Sequence, residues 1–176
     1  MHQEVIMAGA GGDGIMLMGQ LLAHAAVLEG KNIVWFPSYG PESRGGPADC
    51  TVMISDGEIG SPITTAPDVV IALNQMQLDK YAATARREGL ILVNSSLAIP
   101  PQTRDDCRII SIPASDIAVE AGTTKVANMV MLGCYAAAAN PVALELSRVC
   151  RGCSLSLRVR VRGNRLSKPQ GAEGTK

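Results

Sequence analysis

Short apolar runs recur along the chain, separated by mixed segments with helical spacing. Residues 4–8, Glu-Val-Ile-Met-Ala, read as a buried strand. Residues 15–28 are apolar on most faces and predict a helix. Residues 32–36 and 51–55 predict two further strands, and 69–73, introduced by Pro67-Asp68 and closed by Asn74, a fourth. Residues 75–87 read as a helix. Residues 90–93 form a fifth strand ending at Asn94-Ser95-Ser96, and 109–112 a sixth. Residues 125–139 predict a helix of small residues stopped by Asn140-Pro141.

Continuous apolar strands alternating with helices imply strands buried on both faces. The expectation is a single α/β domain, a largely parallel sheet with helices on both faces in a Rossmann-like three-layer arrangement. In such sheets ligands sit at the carboxyl ends of strands. The glycine turn at 9–14, the loop at 37–47, Asn74 and Asn94 all fall at such ends, which predicts one functional edge. Past Glu145 the pattern degrades. A short amphipathic strand is conceivable at 155–161, and 163–176 reads as disordered.

Composition narrows the options. Apolar residues make up 47% of the chain and aromatic residues only 3%, so the core is aliphatic. So few rings argue against a stacking platform for single-stranded nucleic acid, and no nucleic-acid partner is expected. Zero net charge hides an asymmetry: residues 1–147 carry 8 basic and 15 acidic groups, and 148–176 carry 8 basic and 1 acidic. The basic tail reads as a solvated end, or as a grip on an anionic partner. No run approaches the ~20 apolar residues needed to span a bilayer, and the N-terminus lacks a secretory pattern. Cys50, Cys107, Cys134, Cys150 and Cys153 form no disulfide framework, so a cytoplasmic location is expected.

Two segments carry the candidate chemistry. Gly9-x-Gly11-Gly12-Asp13-Gly14 lies between a strand and a helix, where glycines permit a tight turn and free amides face an anion. The competing reading is a turn that only lets the helix pack on the strand. A dinucleotide site further needs an acid after the second strand, and Pro37 follows it there instead. Asp13 sets a negative charge against a pyrophosphate.

The second segment is Trp35-Phe-Pro-Ser-Tyr39-Gly40-Pro41-Glu42-Ser-Arg44-Gly45-Gly46-Pro47. Three prolines and three glycines in thirteen residues predict a shaped loop with no regular ladder. Glu42 and Arg44 are either a surface ion pair or, for Arg44, an anchor for a carboxylate or phosphate. Catalytic constellations are otherwise missing. His24 reads as a core or boundary histidine, Cys150-x-x-Cys153 is a lone pair, and no metal site is expected.

Together, Gly9-Ala-Gly-Gly-Asp-Gly-Ile and Phe36-Pro-Ser-Tyr-Gly-Pro-Glu-Ser-Arg-Gly-Gly-Pro closely resemble the gamma subunit of 2-oxoacid:ferredoxin oxidoreductases. Ile59-Gly-Ser-Pro-Ile, Pro67-Asp-Val-Val-Ile-Ala-Leu-Asn74 and Lys125-Val-Ala-Asn128-Met-Val-Met-Leu-Gly add to it over about residues 3–147. Trp35-Phe-Pro-Ser-Tyr and Asp49-Cys-Thr-Val look most like the 2-oxoglutarate type. The resemblance implies an accessory domain over 1–147, followed by a divergent basic tail over 148–176.

Such a domain has no catalytic residue of its own and serves a complex that makes acyl-CoA from a 2-oxoacid and reduces ferredoxin. Implied partners are the alpha and beta subunits, a ferredoxin-like delta subunit and ferredoxin. Thiamine diphosphate, Mg, iron–sulfur clusters and CoA are implied for the complex, with none bound by this chain alone. Gly9, Gly11, Gly12 and Gly14 become candidate contacts to CoA phosphates. Residues 39–46 become a loop facing the other subunits or the active site, and Asn74, Asn94 and Asn128 further candidates on that edge. Asp13 stands where the family usually has Gln, and the arginine-rich end departs from the family's helices. Alternatives are a stand-alone Rossmann-like nucleotide-binding protein and a scaffold gripping an anion through its tail.

Overall fold

The computed structural model describes residues 1–40 and 45–139. One six-stranded sheet has the order β2-β3-β1-β4-β5-β6. Its strands are β1 (His2–Ala10), β2 (Asn32–Tyr39), β3 (Pro47–Ser55), β4 (Val69–Ala72), β5 (Leu90–Asn94) and β6 (Arg108–Ile112). The helices are α1 (Ile15–Leu28), α2 (Gln75–Ala82), α3 (Ala114–Glu120) and α4 (Ala127–Ala139), with a 3₁₀ turn at Thr124–Val126 before α4.

Strand alternation makes the three layers. Val69 and Ile71 face a core shared with Met18 and Leu22 of α1, Ala118 of α3 and Met131 of α4. Val70 and Ala72 face the opposite core, with Leu78 and Ala82 of α2. Every residue of β4 and β5 is buried, as two-sided coverage requires.

The sheet is mixed. β1, β4, β5 and β6 pair in parallel, but β3 runs antiparallel to both β1 and β2 and separates them. The physical reason is loop length. Tyr39 and Pro47 are too close in sequence for a parallel crossover, so the chain turns back as a hairpin. The hairpin also corrects the expectation of no ladder at 35–47. Residues as far as Tyr39 pair with β3, including Pro37 opposite Cys50. β2 is an edge strand, where a proline's missing donor can face outward.

Smaller differences have local causes. The helix expected over 75–87 stops at Ala82, where Thr84 Oγ1 donates to the Tyr81 carbonyl at 2.8 Å. The Arg104 guanidinium donates to the Ala82 and Ala85 carbonyls, replacing their helical partners. The segment 125–139 begins as a 3₁₀ turn, with Thr123 Oγ1 accepting from Lys125 N–H. α3 is an additional helix. His24 is exposed on α1, so the core placement is corrected. The tail at 148–176 and the conceivable strand at 155–161 lie outside the described residues.

Gly19 sets how closely α1 approaches the sheet. A Cβ there would lie 2.6 Å from Cys50 Sγ and 2.8 Å from Trp35 Nε1. Replacing it with Ala gains about 1 kcal/mol of helix propensity. Overpacking between a buried thiol and an indole costs about 1–3 kcal/mol, and neither group has a flexible end to swing away. Gly19→Ala is therefore expected to lose about 1 kcal/mol of stability in urea denaturation. A gain would show that α1 can ride outward freely.

Candidate functional site

The site begins at the end of β1, where the chain must leave the ladder and enter α1 within four residues. Gly12 takes φ 110° and Gly14 φ 75°, both in the left-handed region that favours glycine. Asp13 closes the turn from inside. Its Oδ2 accepts the Ala10 N–H at 2.7 Å, and its own N–H donates to Ala10 O at 3.0 Å. The negative charge set against an anion is thus engaged by a backbone donor of the same turn. Among the described residues the Gly12 and Gly14 amides meet no acceptor. The first N–H groups of α1 likewise have no intrahelical partner.

Two further segments pin this turn. Gly11 N–H donates to Gly46 O at 2.8 Å, and Gly45 N–H donates to Gly11 O at 3.2 Å. Gly40 N–H donates to Pro47 O at 3.0 Å across the hairpin. From α4, the Asn128 amide donates to Gly14 O at 3.1 Å, with the side chain buried. A Cβ on Gly14 would lie 2.3 Å from that amide nitrogen, so position 14 is restricted by space as well as by φ.

The result is a cleft of ≈ 580 Å³ at the carboxyl edge of the sheet. Gly11, Gly12, Gly14, Tyr39, Gly40 and Gly46 all line it, with Ile15, Met16, Pro47 and Ala48 as apolar walls. Tyr39 is 67% exposed at its rim. Gly9 lies beneath, where a Cβ would meet Ile15 Cδ1 at 2.8 Å and Asp13 Oδ2 at 2.9 Å. Pro41, Glu42 and Arg44 lie outside the described residues.

Asn74 and Asn94 stand at the same edge but outside the cleft lining. Asn74 Oδ1 accepts Gln77 N–H at 3.0 Å and caps α2. Asn94 is buried and ties three elements together. Its Oδ1 accepts from Ala114 N–H at 3.0 Å and Ser115 N–H at 3.3 Å, while its Nδ2 donates to Leu73 O at 3.1 Å and Ser115 Oγ at 3.0 Å. Both hold the edge in shape. The supporting role of Asn128 depends on a contact across 114 residues, which no local pattern announces.

A second hollow, ≈ 260 Å³, opens at the opposite edge beside His2, Asp68, Arg86 and Arg108. Its main charges are already engaged: Asp68 pairs with Arg86 and accepts Glu4 N–H at 2.7 Å.

Among the described residues no three His, Cys, Asp or Glu are grouped to hold a metal ion. Cys50, Cys107 and Cys134 sit on β3, before β6 and on α4. Burial pushes the Cys50 thiol up to about 12 and the Cys134 thiol up to about 11. Cys150 and Cys153 lie outside the described residues.

Residues 4–148 match the family described as pyruvate ferredoxin/flavodoxin oxidoreductase. The chain is 44% identical over 130 residues to ketoisovalerate oxidoreductase subunit VorA of Methanothermobacter marburgensis, covering 74% of this chain and 27% of VorA. It is 38% identical over 148 residues to 2-oxoglutarate synthase subunit KorC of Methanocaldococcus jannaschii, covering 82% of this chain and 79% of KorC. The solved gamma subunit of a keto/oxoacid ferredoxin oxidoreductase from Geobacter sulfurreducens superposes with a TM-score of 0.75 at 32% identity. That match covers 88% of this chain and 86% of the solved one. The chain therefore spans about a quarter of VorA but most of KorC.

Asn94→Ala leaves two amide donors and a carbonyl without their partner. It is expected to cost about 2–3 kcal/mol in urea denaturation. Asn74→Ala removes a single cap and is expected to cost about 1 kcal/mol. Equal losses would mean that Asn94 does not tie the edge together.

Proposed function

The chain belongs to the pyruvate ferredoxin/flavodoxin oxidoreductase family, and from that membership we propose that it is the gamma subunit of a CoA-acylating 2-oxoacid:ferredoxin oxidoreductase. In this role it completes an assembly that oxidatively decarboxylates a 2-oxoacid to an acyl-CoA and reduces ferredoxin. The observation that carries the reading is the match to the Geobacter gamma subunit over most of both chains. VorA supports it from another side, because there the same unit is about a quarter of a longer chain. A unit of that kind works beside other domains. Here those are the alpha, beta and ferredoxin-like delta subunits.

The KorC relative, matched over most of both chains, favours 2-oxoglutarate as the substrate. A branched 2-oxoacid is the second reading, favoured by the higher identity to VorA, 44% against 38%. Among the described residues no three His, Cys, Asp or Glu converge, so they present no thiolate set for an iron–sulfur cluster. No chemical step is assigned to this chain. No helix among the described residues is long and apolar enough to cross a membrane.

The cleft at the glycine turn is this chain's candidate contact with CoA. The helix-start amides and the positive end of the α1 dipole favour a phosphate. Asp13 opposes it, so any anion must be held by amides that Asp13 does not reach. Apolar walls at Ile15 and Met16 suit the uncharged part of such a ligand.

Anaerobic purification of the tagged chain from its native cells, with mass spectrometry of what co-purifies, tests the assembly. Stoichiometric thiamine-binding and iron–sulfur subunits are expected, and a chain recovered alone would count against the reading. Within the assembled complex, Gly11→Val is expected to raise the KM for CoA several-fold, because position 11 faces the Gly45–Gly46 backbone and has no room for a branched side chain. An unchanged KM in a normally assembled complex would remove the CoA role and leave the subunit role standing.

A further inference from the structure

The starts of α1 and α4 meet at the carboxyl edge, and one side chain joins them. Asn128 lies in the first turn of α4 and is only 3% exposed. Its Nδ2 donates to Gly14 O at 3.1 Å, and its Oδ1 accepts Met129 N–H at 2.8 Å. A carbonyl needs a donor and an N–H needs an acceptor, so these two partners fix which way the amide is turned. The helix behind it is anchored, because Met131 and Tyr135 are fully buried in the core.

Gly14 O takes a second bond, from Met18 N–H at 3.0 Å, the first of α1. Helix ends fray, so without Asn128 that bond alone would orient the 14–15 peptide. Gly14 adds little restraint of its own, since a glycine at φ 75° has no Cβ to limit its rotation. Among the described residues no peptide bond is cis, and in a trans peptide the N–H points opposite to the carbonyl. Holding Gly14 O towards α4 therefore turns the Ile15 N–H away from α4. Gly14 and Ile15 both line the cleft, and among the described residues the Ile15 N–H meets no acceptor.

We infer that Asn128 is a positioning residue for the cleft: through the Gly14 carbonyl it aims the Ile15 N–H at an acceptor oxygen of the bound ligand. Asn128 touches no ligand itself, because its amide is engaged by Gly14 and Met129 and is buried. The inference rests on the reading of this cleft as the contact with CoA. It gives α4 a part in binding and none in bond-making, so its loss belongs in KM and leaves kcat in place.

Steady-state kinetics of the assembled complex, with CoA varied, tests it. Asn128→Ala is expected to raise the KM for CoA roughly tenfold with kcat unchanged. Asn74→Ala, which removes a helix cap at the same edge but outside the cleft lining, is expected to lower the melting temperature and leave that KM unchanged. Asn128→Asp keeps the size of the side chain and its Met129 contact but sets an oxygen against Gly14 O. It is expected to raise the KM as well, and it carries the test if Asn128→Ala does not assemble. An unchanged KM in the Asn128 variants beside a raised one in Gly11→Val would overturn this inference and leave the CoA reading standing. Unchanged values in all of them would remove both. An equal rise in Asn74→Ala would show general loosening of the edge and overturn the positioning role.

Discussion

Two backbone hydrogen bonds between Gly11 and the Gly45–Gly46 pair hold the functional edge together. They continue the β1–β3 ladder past its last regular pair, Ala10 with Pro47, into the turn itself. Side chains would obstruct this extension. A Cβ at Gly11 would sit 3.3 Å from Gly45 N, and Gly45 takes φ 75°. Because the bonds are between main chains, the turn, the hairpin and the start of α1 form one body. Asn128 then brings α4 into it through the Gly14 carbonyl. The shape of the cleft follows from those backbone paths more than from any large side chain.

Most of this was legible where physics is local. α1 runs from Ile15 to Leu28 as the sequence predicts, because a glycine turn must end before a helix can begin and Gly30 lies just beyond its end. β4 and β5 were legible because a strand covered on both faces shows as a continuous apolar run. The antiparallel direction of β3 is not legible in its own residues, since an apolar pentapeptide looks the same in either direction. The clue was available in the connection, which is too short to carry a strand across the sheet. Asn128 could not have been placed beside Gly14, because that contact depends on how two distant helices pack. Asn74 caps α2 and Asn94 ends β5, and a strand-end asparagine that caps a helix looks the same in sequence as one that meets a ligand.

The polar groups of the described edge are mostly spent on structure. Asp13 closes its own turn, Asn74 caps α2, and Asn94 joins β4, β5 and the start of α3. On the far edge Asp68 holds both Glu4 and Arg86. A catalytic side chain usually needs a free partner and a shifted proton affinity in a cleft. Here the largest shifts, at Cys50, Cys134 and Tyr135, come from burial in the core. The Tyr135 hydroxyl, for example, donates to Gln3 at 2.7 Å and supports packing.

Thiols raised to about 12 and about 11 stay protonated at neutral pH, so Cys50 and Cys134 are poor ligands and poor nucleophiles. Among the described residues the cleft at the carboxyl edge is walled largely by backbone, and the outer face of α1 beside it exposes Leu17, Val27 and Leu28. The glycines let those backbones approach closely enough to hydrogen-bond, as Gly11 does with Gly45 and Gly46. The outer α1 face carries no Asp, Glu, Lys or Arg from Leu17 to Leu28. Backbone hydrogen bonds and close glycine approaches, more than ionisable side chains, define the described edge.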